Sequence, residues 1–411
     1  MLKRWQTRLF LFLAVLGPGF ITANVDNDAG GILTYSGAGA QFGYSLLWTI
    51  IPITVALIVV QEMCARMGVV TGKGLSDLIR EEFGLRATFI TMLLLVSVNF
   101  GLVVTEFIGI SGSLELFHVS RYISVPACAA LVWLLAVKGD YKSVEKVFLA
   151  ASVFYIAYII TGVLSGPSWH VALVDTVKLP PASVWKTPGY VSMTIAIIGT
   201  TIAPWMQFYL QSSVVEKGVA VKDYAASRLD VIVGSIFTDV VAWFIIVACA
   251  ATLYAHGVGQ LNVPADAAEA MKPLAREYAY LLFAVGLFNA SFFAASVLPL
   301  STAYTVCEGL GFESGVDKSF REAPVFYWLY TLLIVGGAAV VLTPHLHAMK
   351  VVVETQVLSG VLLPVILVMM LLLINRKDLM GRFVNPVWMN WISWLTVAIV
   401  VALSVALIFV G

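Results

Sequence analysis

The sequence predicts an all-α, polytopic membrane protein of eleven transmembrane helices, built as a five-plus-five inverted repeat with its first and sixth spans broken. Three observations carry this. The chain of 411 residues is 60% hydrophobic and 12% charged, with a mean hydropathy of +0.94, far from the balance of a soluble domain. Apolar runs of about 20 residues, the length that crosses a bilayer as a helix, recur along it. Two of those runs are interrupted by residues that a continuous helix tolerates poorly.

The predicted spans are 8–38, 44–66, 87–117, 122–138, 143–165, 188–214, 229–255, 275–306, 324–343, 348–374 and 388–410. They group as a first repeat over 1–165, a second over 188–374 and a last helix over 388–411. The connections are short. The longest, His170 to Thr187, carries Pro180 and Pro181 and is read as loop; no soluble domain fits between spans. The first hydrophobic segment outruns a signal peptide and lacks a small-residue cleavage pattern, so no cleavable signal is expected.

Eighteen of the 24 basic residues fall on one side if the N-terminus is cytoplasmic, among them Arg66, Lys73, Arg80, Lys217, Arg321 and Arg376. The positive-inside rule then sets the N-terminus in the cytoplasm and the C-terminus outside. A multi-pass protein of the plasma or inner membrane is expected, a monomer in the lipid bilayer. Net charge is zero, and nothing suggests a nucleic-acid partner. Cys64, Cys128, Cys249 and Cys307 stand singly and read as small core residues. Trp48, Trp169, Trp185, Trp388, Trp391 and Trp394 fit interfacial anchoring.

The break in the first span is the most informative stretch: Asn24-Val25-Asp26-Asn27-Asp28-Ala29-Gly30-Gly31. A carboxylate at bilayer depth costs a few kcal/mol on insertion scales, roughly 3 kcal/mol, so it is usually there to bind or to pair. The glycines favour unwound backbone at Asp28–Gly31. The sixth span breaks at Ala203-Pro204 in the run G-T-T-I-A-P-W-M-Q, because proline removes a backbone donor and clashes with the preceding turn. Broken helices at matching places in two halves mark transporters with a midplane site. Asp28 is a hard oxygen ligand suited to Mg²⁺, Mn²⁺ or Ca²⁺, a role compatible with capping the half-helix that follows. Asp26, Asn24 and Asn27 either add to the site or its vestibule or hydrogen-bond other helices. Gln356 is either an oxygen ligand or an interhelical hydrogen bond. Gln207 and Gln211 share one helical face and either line the inner exit or join helices. Glu106 and Asp239 are buried carboxylates. The five histidines fall at predicted outer ends or loops; His345 and His347 read as solvated.

Gly17-Pro18-Gly19-Phe20 with Asp28 beyond it, A-G-A-Q-F-G-Y over 38–44 and A-R-M-G-V-V-T-G-K over 65–73 resemble the NRAMP divalent-metal transporters. So do Glu106-Phe107-Ile108-Gly109, Gln356-Val357 with Pro364, and the run from Arg376 to Gly381. The resemblance covers nearly the whole chain. It implies a LeuT-like fold with metal held between spans 1 and 6.

The departures are specific. The family's D-P-G-N stands here as Asp28-Ala29-Gly30-Gly31, so the asparagine ligand is lost at Gly31. Its M-P-H stands as Ala203-Pro204-Trp205, so the methionine ligand and the histidine linked to proton movement are both gone. The acidic residue three before Glu106 is Val103, and the arginine pair near the start of span 9 is absent from Arg321-Glu322-Ala323-Pro324. The pattern is most similar to the NRAMP-related magnesium transporters. Without sulfur the site favours hard, oxygen-seeking ions. The expected lining is Asp28, Gln356 and the carbonyls of Val25, Thr200 and Ala203, with Gly31, Trp205, Gln207 and Glu106 around them.

The expected function is import of Mg²⁺, and also Mn²⁺, as transported substrates by alternating access without proton coupling; no cofactor is expected. A proton-coupled Mn²⁺/Fe²⁺ carrier is the alternative, and an organic-cation carrier of the same fold a further one. No HExxH, P-loop or nucleophile constellation points to an enzyme.

Overall fold

The structure is a computed structural model that describes Gly19, Thr22 and Val25 and then residues 27–138, 155–262, 264–271, 277–316 and 318–410. Asn24 and Asp26 of the first span lie outside the described residues, as do 143–154 of the predicted fifth. Within them the protein is an all-helical bundle with eight stretches long and apolar enough to cross a membrane. The predicted eleven are not all separate by that measure. The end of span 1 and span 2 run together as Ala29–Thr71, and in the span-4 region only Arg121–Leu135 qualifies, as a shorter helix.

The helices that position the site are α1 (Ala29–Phe42), α2 (Ile50–Thr71), α3 (Leu75–Glu115), α4 (Arg121–Lys138), α5 (Ile156–Leu164), α6 (Trp169–Val177), α7 (Tyr190–Thr201), α8 (Pro204–Glu216), α9 (Tyr224–Thr252), α10 (Pro264–Met271), α11 (Glu277–Leu310), α12 (Pro324–Val341), α13 (Ala348–Ile374) and α14 (Val387–Val410). Their ends follow local chemistry. Gly43 closes α1 at a φ of 59°, and Gly72 closes α2 in a left-handed conformation at 65°, a region glycine enters without a Cβ penalty. Gly84, at φ 79° and ψ 169°, kinks α3 near its start. The membrane portion therefore begins close to the predicted residue 87, while the helix itself starts at Leu75. Proline opens α8 and α12, where its missing N–H has no helical partner to lose.

One predicted loop is a helix. Trp169–Val177 forms α6, and its residues interlock with α9: Trp243 donates to Thr176 Oγ1 at 2.8 Å, and Trp169 stacks on Trp243 at 6.4 Å. The prolines that suggested a loop lie beyond its end.

The four cysteines are free and buried. At the end of the molecule predicted to face the cytoplasm, Arg66 and Glu62 form a buried ion pair at 3.1 Å. Tyr224 donates to Glu62, and Arg66 donates to Asn385 and to the carbonyl of Val384. One ion pair thus links α2, the start of α9 and the approach to α14. Trp388, Trp391 and Trp394 are exposed along one face of α14, as expected of anchors in a headgroup region.

A candidate ion site between two broken helices

The first break is at Asn27-Asp28, just ahead of the glycines rather than across them. Asp28 takes an extended conformation, and its Oδ1 accepts the N–H of Gly31 at 2.7 Å, which makes it the N-cap of α1. An N-cap satisfies one of the orphan donors of a helix start. Ala29, Gly30 and Gly31 are therefore helical, which corrects the expectation of unwound backbone through Gly31. Gly30 makes room for Gln356 instead: a Cβ there would overlap its Nε2 and lie 3.1 Å from Asp28 Oδ1, so the glutamine side chain would have to move.

The second break is at Ile202-Ala203. α7 ends at Thr201, Ile202 leaves the helical region at φ −117° and ψ 53°, and Ala203 is extended ahead of Pro204. Proline at 204 has no N–H, so the Thr200 carbonyl lacks the donor that a continuous helix would supply four residues on. The two breaks are tied together. Tyr35 of α1 and Thr201 of α7 share a hydroxyl hydrogen bond at 2.7 Å. α13 lies against both broken helices: Ser359 donates to the Gly199 carbonyl at 2.9 Å, and a Cβ on Gly199 would overlap the Gln356 carbonyl.

Gln356 thus stands where both broken helices meet α13. It is 1% exposed, and neither its Oε1 nor its Nε2 has a hydrogen-bond partner. A buried amide left unsatisfied costs about 1–3 kcal/mol, so the spot is prepared for a polar guest. Glu106 of α3 reaches the same place. Its Oε2 accepts the N–H of Ala29, the residue after Asp28, at 3.1 Å, and its Oε1 is buried without a partner. Two carboxyl groups brought to the same helix start share a proton or hold a cation between them. Glu106 therefore belongs beside Asp28, a closer place than lining alone.

Several sequence-predicted residues fall elsewhere. The Ala203 carbonyl is not open to an ion: it already accepts Met206 N–H at 3.1 Å and Gln207 Nε2 at 3.0 Å, using both lone pairs. Gln207 is likewise engaged at both ends, its Oε1 facing the Cys64 thiol at 3.8 Å, and Gln211 donates to the Lys73 carbonyl at 2.9 Å. Both join helices, and the Oε1 of Gln211 is left without a partner. Asn27 donates from Nδ2 to the hydroxyl and carbonyl of Thr238 on α9, at 2.6 and 3.1 Å, an interhelical bond that leaves its buried Oδ1 at the break without a partner. Asp239, its neighbour on α9, is buried beside Thr54 of α2. Trp205 is buried in the first turn of α8 against Tyr209, and Val25 and Gly31 are buried at the first break. Among the described residues no group of three or more His, Cys, Asp and Glu side chains could hold a metal ion. The site is two carboxyl groups, one amide and backbone, a hard-oxygen set.

Sequence reasoning missed the bond between Tyr35 and Thr201. It also missed a cavity of about 670 Å³ reached from the predicted outer end, with Gly37, Gln41, Met193, His347 and Lys350 in its wall. The polar residues of its wall, Gln41 at the end of α1 and His347 and Lys350 at the start of α13, were the signals for it.

Residues 19–410 match the Nramp family, described as natural resistance-associated macrophage protein-like. The chain is 26% identical over 399 residues to the divalent metal cation transporter MntH of Klebsiella pneumoniae, covering 95% of this chain and 93% of that protein. Its counterpart in Pediococcus pentosaceus is 26% identical over 429 residues, covering 98% and 92%. The fold is similar to that of the Eremococcus coleocola manganese transporter, with a TM-score of 0.76 at 24% identity over 97% of this chain and 86% of that one. It is also similar to Mhp1, a nucleobase-cation-symport-1 family transporter, with a TM-score of 0.59 at 14% identity over 96% and 92%.

Proposed function

The chain belongs to the Nramp family, as a LeuT-like, multi-pass divalent metal cation transporter, and on that premise we propose that it imports Mg²⁺, and also Mn²⁺, without moving protons. The observation that carries the Mg²⁺ reading is the donor set at the two breaks. Asp28, Glu106 and the unbonded amide of Gln356 offer oxygen alone, and Ala203 and Gly31 stand where the family resemblance places a thioether and a second amide. Mg²⁺ favours oxygen and gives up its waters reluctantly. Thioether ligands select softer transition metals, and this site has none.

The absence of coupling rests on the neighbours of Glu106. A proton relay needs groups that pass the proton in sequence, and Val103 and Trp205 stand at the positions that would continue it. Uptake would then follow the gradient and the membrane potential, which favours entry of each divalent ion by about 4.6 kcal/mol per 100 mV. The predicted orientation, N-terminus inside and C-terminus outside, follows the basic residues.

One observation favours a second reading, a proton-coupled Mn²⁺ carrier. Asp28 and Glu106 are both held at the start of α1, by the N–H groups of Gly31 and Ala29; a coupled carrier would keep a proton between two such carboxyls until metal entry released it. Liposomes holding a Mg²⁺ indicator and a pH dye separate the two. Mg²⁺ entry that is lost in Asp28→Asn and leaves the lumen pH unchanged supports uniport. Mn²⁺ entry with acidification, and no Mg²⁺ entry, supports the coupled carrier.

A further inference from the structure

We propose that the cavity enclosed by α8, α11 and the start of α3 is a second divalent-cation site, a hydrated resting point on the cytoplasmic side of the two breaks. It rests on the transport reading above. The cavity measures about 310 Å³, room for an ion with six waters at roughly 30 Å³ each. Ser301, Thr305 and Glu308 line it from one face of α11, and Ser212 and Glu216 line it from α8, with Asp77 at its edge. The spacings of three and four residues put each set on one side of its helix.

Two features point to a guest. Ser301 is 2% exposed, lines the cavity, and its hydroxyl has no hydrogen-bond partner. Glu308 is fixed by only one of its oxygens: Oε2 accepts the hydroxyls of Ser76 at 3.1 Å and Ser212 at 3.0 Å, leaving the carboxylate oriented with Oε1 to spare. Asp77 is partly neutralised by Arg80 at 3.0 Å, and Arg80 also donates to the Glu308 carbonyl. Lys73, whose side chain lies near the mouth, is paired with Glu81 at 2.6 Å. Carboxylate and hydroxyl oxygens facing a space of this size suit a Mg²⁺-class ion held through its waters.

The placement is on the exit side. At the level of the ion site α3 meets α1 and α11 through Gly109, Ala29 and Ser291. Further along, α3 meets α11 through Asn99, which donates to Thr302 at 2.8 Å. Ten residues of helix separate these levels, about 15 Å. Ser301, next to Thr302 on α11, therefore lies between the level of the breaks and the end of the bundle.

The test is equilibrium Mn²⁺ binding to the full-length purified protein, with free Mn²⁺ read by electron paramagnetic resonance. Asp28→Ala should still bind one Mn²⁺ per chain. Adding Glu308→Gln should weaken that binding at least tenfold, and adding Ser301→Ala about threefold. The Glu308→Gln change keeps an acceptor for both serines, and Ser301→Ala removes a hydroxyl that holds nothing, so at least one variant will fold. Loss of all Mn²⁺ binding in Asp28→Ala overturns the proposal, as does unchanged affinity in the folded Glu308 or Ser301 variant. Mg²⁺ flux is measured separately: full flux in Asp28→Ala sinks the reading of the site at the breaks and leaves the stoichiometry of this cavity to stand or fall alone.

Discussion

Gln356 packs directly on Gly30, so closely that one methyl group on Gly30 would overlap its Nε2. The same glutamine carries a buried amide with no hydrogen-bond partner. Glycine at 30 is therefore what lets a span-10 side chain reach the first break. Gly30→Ala should push Gln356 away from Asp28 and lower Mg²⁺ flux at least tenfold. Overpacking of this kind costs about 1–3 kcal/mol, so the variant should still be recovered folded, with a reduced melting temperature. Normal flux in reconstituted liposomes would show that Gln356 takes no part in the site.

Asp28 does two jobs that substitutions separate. Asn caps a helix about as well as Asp, whereas Ala forfeits about 0.5–2 kcal/mol at an N-cap. Asp28→Asn should abolish transport with little change in thermal stability in detergent. Asp28→Ala should abolish transport and lower stability as well. Equal melting temperatures for the two would mean the bond to Gly31 contributes nothing measurable.

Ala203 is buried at the second break and its carbonyl is occupied, so any effect on selectivity acts through its side chain. Ala203→Met places a thioether at the break and reduces the space for water. The expected result is a shift in competition assays, with Mn²⁺ and Cd²⁺ gaining on Mg²⁺ by an order of magnitude or more. Unaltered selectivity would place the bound ion away from residue 203.

Glu106 tests coupling. Glu106→Gln keeps an oxygen for the Ala29 N–H and removes the acid. Uniport predicts that Mg²⁺ entry falls, because one of the two carboxyl groups of the site is lost, with no pH change in either protein. Loss of flux together with loss of acidification would establish Glu106 as the proton carrier.

Some features were legible because they are local. Apolar runs gave the spans, and proline at 204 marked the second break, because a missing N–H acts within one helical turn. The identity of the acidic residue at the first break was legible for the same reason. Other features depended on which helix lies opposite. The glycines after Asp28 read as a loosened backbone, yet they are helical, because Asp28 caps them and Gln356 needs the space. Gln207 and Ala203 read as parts of the ion path, yet they bond each other one turn apart. The helix at Trp169–Val177 was read as loop because two prolines just beyond it dominated the local signal.

The sequence alone determined that the chain spans a membrane as helices, that two helices break, and that a carboxylate sits at one break. Each follows from short-range physics, the cost of burying peptide groups and charge in an apolar medium. Only the tertiary structure decided which polar groups are spent on neighbours and which remain unpaired. Gln207 is bonded at both ends of its amide, to Ala203 and Cys64, while Gln356 is bonded at neither, and Glu106 and Ser301 each keep an unbonded oxygen. Hydrogen bonds act over about 3 Å, so availability for an ion is a property of packing and cannot be read from residue type.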